Sequence, residues 1–328
     1  MADYEPKKIV YLFGAGATHA ELHNLDQDLV EQKGLGLLIG DVSKRVIEKA
    51  RRGKRYIKDI ETVSGTSGSL NIESLIGMIE SSKVNDWEYK TRHLKELVEK
   101  DIENVLSKFR SELFCLHRGL FELHKHRATA TKESLVGLIS LNYDDVLDEA
   151  YKKYYGPPNY CFSLADKPLP RAIPLLKLHG SFNWKGVNIR GRRRTIEIIP
   201  VGAAKSYLHA PYGFIWNRAL EVLIGCSTLR VIGCSLSAND THLIDLLFKA
   251  HLERPKAFDI EIISSNVAGE QIKRNYGFFR GIKTLVQVDG VLMTGPDPPN
   301  PFKEWLKRKS GRMMGDSAIK ATQHLRAL

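Results

Sequence analysis

Cysteine is scarce in this sequence, and none of it is arranged for metal binding. The four cysteines, Cys115, Cys161, Cys226 and Cys234, form no Cys-x-x-Cys pair and no cysteine–histidine cluster at zinc-ligand spacing. Because Cys226 and Cys234 lie in apolar stretches, we expect them to be reduced residues of the core. The sequence therefore predicts a protein without a bound metal.

Long hydrophobic segments are also lacking. No apolar run approaches the roughly 18 residues that a membrane helix needs. The first residues, MADYEPKK, do not have the basic-then-apolar layout of a signal peptide. Hydrophobic residues make up 43% of the 328 residues and charged residues 27%, which is typical of a soluble globular chain. We therefore expect a cytoplasmic protein that does not contact a membrane.

Acidic residues are fewer than basic ones. The chain has 38 aspartates and glutamates against 49 lysines and arginines, which gives a formal net charge of +11. Basic residues are densest at 44–55, 190–194 and 303–312. Such patches attract nucleic acid or a phosphate-bearing ligand. A solvated basic surface is the alternative, since no aromatic interleaving or recognition motif accompanies the patches.

Apolar strand-like runs alternate with helical segments over most of the chain. Strands are predicted at 8–13, 134–141, 173–178, 229–234, 258–266 and 282–288, and 192–200 reads as half of a hairpin outside the main sheet. Between about 35 and 125, apolar residues instead recur at helical spacing. The predicted fold class is α/β, a Rossmann-like parallel sheet with an inserted helical subdomain. Residues 1–294 are expected to form one domain containing this insertion, and 295–328 a linker and basic helical tail.

Five of the predicted elements end in glycine or polar residues: Gly14-Ala15-Gly16, Asn142, His179, Gly233-Cys234-Ser235 and Ser264-Ser265-Asn266. The carboxyl ends of parallel strands meet at one edge of a sheet, where ligands bind. The convergence therefore predicts a ligand crevice. Each residue also has a purely structural interpretation, since Asn142 or Asp144 can cap the following helix and His179 can bond backbone carbonyls.

The first of these ends is a glycine turn. Gly14-Ala15-Gly16-Ala17-Thr18 follows a strand and opens a helix, where backbone N–H groups and the helix dipole can bind a pyrophosphate. The complete dinucleotide fingerprint is absent, because His19 occupies the third glycine position. The turn by itself is weak evidence for a bound nucleotide.

Taken in order, the motifs resemble those of the sirtuin family. The glycine turn resembles the sirtuin Gly-Ala-Gly-x-Ser motif with Thr18 for serine, Asn142 and Asp144 match Asn-x-Asp, and His179 matches the catalytic histidine of the His-Gly motif. The resemblance, which runs over 9–266 outside the insertion, implies an NAD-binding domain with Asn142, His179 and Asp144 as catalytic residues. The cofactor-binding residues that it implies are Gly14, Ala15, Gly16, Thr18, Gly233, Ser235, Ser265 and Asn266.

One departure from the family pattern and one closer likeness narrow this resemblance. The four-cysteine zinc module of deacylase sirtuins is missing. The segment WNRALEVLIGCSTLRVIGCSLSANDTHLIDLLFKA, at 216–250, is similar to bacterial sirtuin-like NAD hydrolases of antiphage defence. That likeness implies an NAD glycohydrolase that takes NAD as substrate, releases nicotinamide and ADP-ribose, and depletes NAD as an effector of abortive infection.

The same likeness implies roles and partners. Asn142 would orient the nicotinamide ribose and the attacking water, His179 would be the general base, and Asp144 would bind the carboxamide or support its loop. An effector of this kind needs control, through a homo-oligomer or a separate sensor or ATPase partner protein. We expect the helical insertion to cover the crevice and to contribute to self-association.

Two other functions remain open at this point. One is a catalytically weak nucleotide-binding subunit that organises a DNA-processing defence complex. The other is a protein ADP-ribosyltransferase or deacylase. Incubation with NAD distinguishes the three, because only a hydrolase releases nicotinamide without a protein acceptor.

Overall fold

A computed structural model of the chain describes residues 5–53, 71–109, 111–163, 173–189, 192–194, 198–199, 209–237, 240–254, 259–277, 286–291 and 300–310. The described strands are β1 Lys7–Phe13, β2 Glu133–Ser140, β3 Leu175–Lys177, β4 Val187–Ile189, β5 Arg192–Arg194, β6 Thr228–Ile232, β7 Asp259–Ser265 and β8 Val286–Val291. The described α-helices are α1 Ala15–Leu25, α2 Gln27–Glu31, α3 Ile39–Arg52, α4 Ile72–Ser82, α5 Trp87–Leu106, α6 Leu116–Thr131, α7 Val146–Tyr155, α8 Tyr212–Gly225, α9 Thr241–Leu252, α10 Asn266–Asn275 and α11 Pro301–Ser310.

Six of the strands form one sheet in the order β3-β2-β1-β6-β7-β8. Every neighbouring pair in it is parallel. Numbered among themselves, these strands have the order 3-2-1-4-5-6 of a Rossmann fold, whose ligand crevice lies where the order reverses, here between β1 and β6. The predicted α/β class with a Rossmann-like parallel sheet is confirmed. β4 and β5 pair antiparallel outside this sheet, and β5 lies in the 192–200 segment predicted as half of such a hairpin.

Both faces of the sheet are covered, which explains why its first strand is a continuous apolar run. Ile9, Tyr11 and Phe13 pack on one face with α6, α7 and α11. Val10 and Leu12 pack on the other with α8 and α9. Since side chains alternate between the two faces of a strand, the run KIVYLF supplies both layers at once.

The helix predicted in the tail, α11, packs on the sheet. Trp305 is fully buried in it, beside Phe302. The predicted linker at 295–299 and the tail beyond 310 lie outside the described residues. The boundary proposed between domain and tail therefore stays a prediction.

Helices α3, α4 and α5 form a separate layer, here called the helical cap. Their apolar faces share one core, to which Val46, Ile76, Leu94 and Val98 belong. Helix α6, although part of the predicted insertion of about 35–125, packs on the sheet with Leu120 and other residues. The exact limits of the insertion stay a prediction.

Part of the first basic patch has a structural role inside the helical cap. The carboxylate of Asp101 on α5 is only 1% exposed and accepts from Arg45 Nε at 2.9 Å and from Lys49 Nζ at 2.7 Å. These two cations of α3 are therefore engaged with a carboxylate of their own chain. In the described part of the chain, no helix is both long enough and apolar enough to span a membrane.

Candidate functional site

A cavity of about 820 Å³ lies at the carboxyl edge of the sheet. Its volume is within the range of small-molecule and cofactor sites. The sheet contributes the ends of β1, β2, β3, β6 and β7. The residues predicted for the site that line the cavity are Gly14, Ala15, Gly16, Asn142, Asp144, His179, Gly233 and Ser235.

The remaining predicted residues lie elsewhere. Thr18 is buried behind the lining and bonds to Asn142 and Asp144. Ser265 uses its hydroxyl to accept the Ala268 N–H at 3.3 Å, so it caps α10. The neighbouring Ser264 borders the cavity, as do Ile262 and Ile263 of the same strand. The side chain of Asn266, the first residue of α10, lies outside the described part of the structure.

The glycines of the β1–α1 turn are needed for packing against the end of β6. Gly14 N–H donates to Ile232 O at 3.0 Å, and Gly16 N–H donates to Gly233 O at 3.0 Å. A Cβ on Gly233 would lie 2.1 Å from Ala17 N, and Gly233 also has a φ of +65°. The two loops at the switch point therefore touch through their backbones, and the N-terminus of α1 opens onto the cavity.

A chain of buried hydrogen bonds joins three predicted residues. Asn142 Nδ2 donates to Thr18 Oγ1 at 3.0 Å, and Thr18 Oγ1 donates to the Asp144 carboxylate at 3.1 Å. Because the Thr18 hydroxyl accepts from Nδ2, this bond fixes which way the amide faces. Asn142 Oδ1 has no hydrogen-bond partner among the described residues, although the side chain is more than nine-tenths buried. A ligand with a hydroxyl or N–H group would satisfy it.

Burial raises the pKa of Asp144, and the nearby Lys177 ammonium opposes that shift. The backbone N–H of Val146 donates to Asp144 Oδ1 at 3.1 Å, so Asp144 also caps the start of α7. Lys177 is itself fully buried, donates to the Asp144 carbonyl, and lies 2.9 Å from Asp148 Oδ2. The structural interpretation of Asp144 is therefore partly right, but capping does not account for its bond to Thr18.

His179 is the second polar element of the site and is only 1% exposed. Its ring stacks on Trp216, with 6.4 Å between ring centroids and 24° between planes. Its Nε2 lies 3.4 Å from Asp240 Oδ2. A carboxylate beside a histidine fixes the ring orientation and stabilises the imidazolium when the ring takes a proton.

Asp240 is a site residue that the motif analysis did not select. Helix α9 begins at Thr241, and Asp240 is its N-cap, accepting Leu243 N–H at 3.2 Å. The other carboxylate oxygen is the one that faces His179. The sequence signal that could have selected it is an aspartate four residues after Gly233-Cys234-Ser235-Leu236.

The helical cap closes the crevice from the side opposite the sheet. Its residues in the lining are mostly apolar, and those from α3, α4 and α5 are Ile39, Val42, Ile72, Glu73, Ser74, Val98 and Ile102. Leu37 and Leu38 precede α3 and also border the cavity. The insertion therefore covers the crevice. Its predicted part in self-association stays a prediction.

The charges that line the cavity have one sign. Glu73, Asp144 and Asp240 border it, and the described lining includes no lysine or arginine. In a chain with a net charge of +11, this is a local reversal of charge. An anionic group bound here would depend on backbone N–H groups and the dipole of α1, whereas the carboxylates favour a cationic group. The described residues contain no group of three or more histidine, cysteine, aspartate or glutamate side chains arranged to hold a metal.

Comparison with known proteins gives one family match. Residues 136–258 match the family model of the SIR2-like domain. The SIR2-like region runs from β2 to just before β7, and it includes Asn142, Asp144, His179, Gly233 and Asp240. The glycine turn and the helical cap precede it. No curated protein matches the chain in sequence.

Similar solved structures include three of Sir2 proteins. A Sir2 homologue in complex with NAD is 14% identical, with 97% of this chain and 91% of that chain covered and a TM-score of 0.39. A structure described as the basis for the mechanism and regulation of Sir2 enzymes is 14% identical, with 99% and 95% covered and a TM-score of 0.37. A mutant Sir2 homologue in complex with 2′-O-acetyl ADP-ribose is 15% identical, with 84% and 93% covered and a TM-score of 0.33.

Proposed function

We propose that this protein is an NAD glycohydrolase that converts NAD and water to nicotinamide and ADP-ribose. The observation that carries the proposal is that one cavity is bordered both by Asn142 and Asp144, which Thr18 joins in a buried hydrogen-bond chain, and by the His179–Asp240 pair. Gly14, Ala15, Gly16, Gly233 and Ser235 would hold the pyrophosphate and adenosine side of the substrate, with Thr18 supporting Asn142. Ser265 and Asn266, at the start of α10, would also contribute to binding the substrate.

The reaction requires the protein mainly to position the substrate and to stabilise the charge of the transition state. The nicotinamide of NAD is already a cationic leaving group, so its bond to the ribose breaks through a transition state with positive charge at C1′. His179 accepts a proton from the attacking water and later releases it to solvent, which balances the reaction. Asp240 stabilises the imidazolium in between. Asn142, held by Thr18, orients the ribose and the water, and Asp144 supports this arrangement from behind or binds the carboxamide.

The test is incubation of the purified protein with NAD, with nicotinamide and ADP-ribose measured by chromatography. We expect His179→Gln and Asn142→Ala to abolish release of nicotinamide. His23→Ala is the matched control, because the His23 ring lies on α1 with its Nε2 3.0 Å from Glu31, away from the cavity lining. Thermal unfolding of each variant separates loss of activity from loss of fold.

Each outcome has a separate meaning. Release at the wild-type rate from His179→Gln would remove that residue from the mechanism. A covalently modified protein acceptor would indicate an ADP-ribosyltransferase, and deacylation of an acyl-lysine peptide would indicate a deacylase. Binding of NAD without turnover would indicate the nucleotide-binding subunit of a larger complex.

We further propose that the activity serves antiphage defence by depleting NAD, in view of the likeness of residues 216–250 to sirtuin-like defence hydrolases. Such an enzyme has to be inactive until infection, through homo-oligomer assembly or through a separate sensor or ATPase partner. Light scattering combined with the activity assay tests the first route. A strict monomer at micromolar concentration that is fully active on NAD would refute it.

A further inference from the structure

Glu73 is placed firmly at the edge of the crevice by the helical cap. It lies in the first turn of α4, where its N–H donates to the capping side chain Asn71 at 2.8 Å. The preceding N–H, of Ile72, donates to Ser43 Oγ on α3 at 3.0 Å, and Ile72 is fully buried. The backbone that carries Glu73 is therefore tied to two helices of the cap.

A hydrogen bond joins Glu73 to the loop between β2 and α7. Tyr143, between Asn142 and Asp144, donates its hydroxyl to Glu73 Oε1 at 2.7 Å, across 70 residues of sequence. Burial, together with the carboxylates of Glu73 and Asp240, raises the pKa of Tyr143 well above its usual value. The tyrosine therefore keeps its proton and remains a donor. A neutral donor fixes the carboxylate in place without adding a charge of its own.

The position of this charge in the cavity is what suggests a role. Glu73 and Tyr143 border the same cavity as Asn142, whose buried Oδ1 has no partner among the described residues. The other two carboxylates of the lining, Asp144 and Asp240, cap the starts of α7 and α9. Glu73 alone of these carboxylates comes from the cap.

We propose that Glu73 is a further catalytic residue, whose carboxylate contacts the cationic nicotinamide–ribose end of the substrate, and that Tyr143 is the positioning residue that holds it there. The inference rests on the proposed function. A fixed negative charge beside C1′ stabilises the positive charge that develops as the glycosidic bond breaks, without forming a bond itself. The reacting end of the crevice would then be built by both the SIR2-like region and the cap.

The decisive experiment compares binding of NAD⁺ with binding of NADH, which has the same ADP-ribose part but an uncharged nicotinamide ring. Binding is measured by calorimetry in a His179→Gln background, so that turnover does not interfere. We expect the background protein to prefer NAD⁺, and Glu73→Gln to reduce this preference about tenfold. Tyr143→Phe should reduce it less, because the carboxylate remains but is no longer held.

Glu80→Gln is the matched control, because Glu80 lies on the same helix and pairs with Lys95 at 2.9 Å. It should leave the NAD⁺ preference unchanged. In the protein with His179 intact, Glu73→Gln should lower kcat by roughly 100-fold, as loss of an electrostatic stabiliser does, with a smaller change in KM. The Glu80→Gln protein should turn over NAD at the wild-type rate.

The outcomes separate this inference from the proposed function. An unchanged NAD⁺ preference in Glu73→Gln, or binding of neither nucleotide, would overturn the role of Glu73. Wild-type turnover in Glu73→Gln would overturn it as well and leave the hydrolase proposal standing. If Glu73→Gln reduces the preference for NAD⁺ but the protein with His179 intact does not consume NAD, the contact between Glu73 and the nicotinamide is supported and the proposed hydrolase activity is refuted.

Discussion

Replacing Thr18 with valine tests the hydrogen-bond chain of the site most directly. The Thr18 hydroxyl accepts from Asn142 Nδ2 and donates to the Asp144 carboxylate, and the side chain is 1% exposed. Valine has nearly the same shape but can do neither. Both partners are buried, so water does not replace the lost bonds.

The size of the effect follows from these two bonds. Leaving a buried polar group unsatisfied costs about 1–3 kcal/mol, with the higher values for charged groups. The extra buried methyl group of valine offsets about 0.8 kcal/mol. We therefore expect Thr18→Val to lower the free energy of unfolding by about 2–4 kcal/mol. Thr18→Ser, which keeps the hydroxyl and loses one buried methyl group, should lose about 1 kcal/mol.

Urea unfolding and NAD turnover measured on the same samples provide the assay. If the chain orients Asn142, Thr18→Val should also lose nicotinamide release while still folded, and Thr18→Ser should keep it. In the double variant Thr18→Val/Asp144→Asn, the stability losses should not add, because both changes act on one bond. Equal stability of the valine and serine variants, with equal activity, would refute the reasoning.

Three further predictions follow from the geometry. Gly233→Ala should prevent folding, because its Cβ would lie 2.1 Å from Ala17 N. Gly34 has a similar φ of +64° but nothing within 4 Å of its Cβ position, so Gly34→Ala should lower the free energy of unfolding by only about 1 kcal/mol. Circular dichroism of the two variants tests this difference. Because burial raises the pKa of Asp144, the folded protein binds that proton more tightly than the unfolded chain, so the contribution of Asp144 to stability should fall as pH rises from about 4 through the folded pKa. Asp144→Asn should lack this fall in urea titrations, and an identical pH dependence in both proteins would contradict it. NAD turnover should survive EDTA, and inactivation that added metal reverses would show that a metal site had been missed.

The fold was predictable because its strands carry a strong local signal. KIVYLF at 8–13 and SLVGLISL at 134–141 are short β-rich apolar runs, and strands buried on both faces need such runs. The structure places β1 at Lys7–Phe13 and β2 at Glu133–Ser140. The limits of the insertion were harder to predict, since α6 has the same helical periodicity as α5 but packs on the sheet.

The site could be predicted only where its residues follow strand ends. Asn142 and His179 do, and a parallel sheet brings such ends together whatever the loops do. Asp240 and Glu73 lie at helix N-termini, where sequence alone indicates a cap and no more. That Asp240 faces His179 depends on where α9 begins, and that Glu73 meets Tyr143 depends on how the cap folds over the sheet. Neither depends on local propensity.

The glycine motif and the polar chain do not support a ligand site equally. Gly14, Gly16 and Gly233 let two backbones touch, so their presence is explained whether or not a phosphate binds. Structure alone explains the residues beside them less completely. A buried carboxylate with a raised pKa at Asp144, and a buried Asn142 Oδ1 without a described partner, both reduce the stability of the folded chain. Structures of this kind persist where a ligand completes them, and for that reason the proposal that a ligand binds in this crevice rests on Asn142 and Asp144 more than on the glycines.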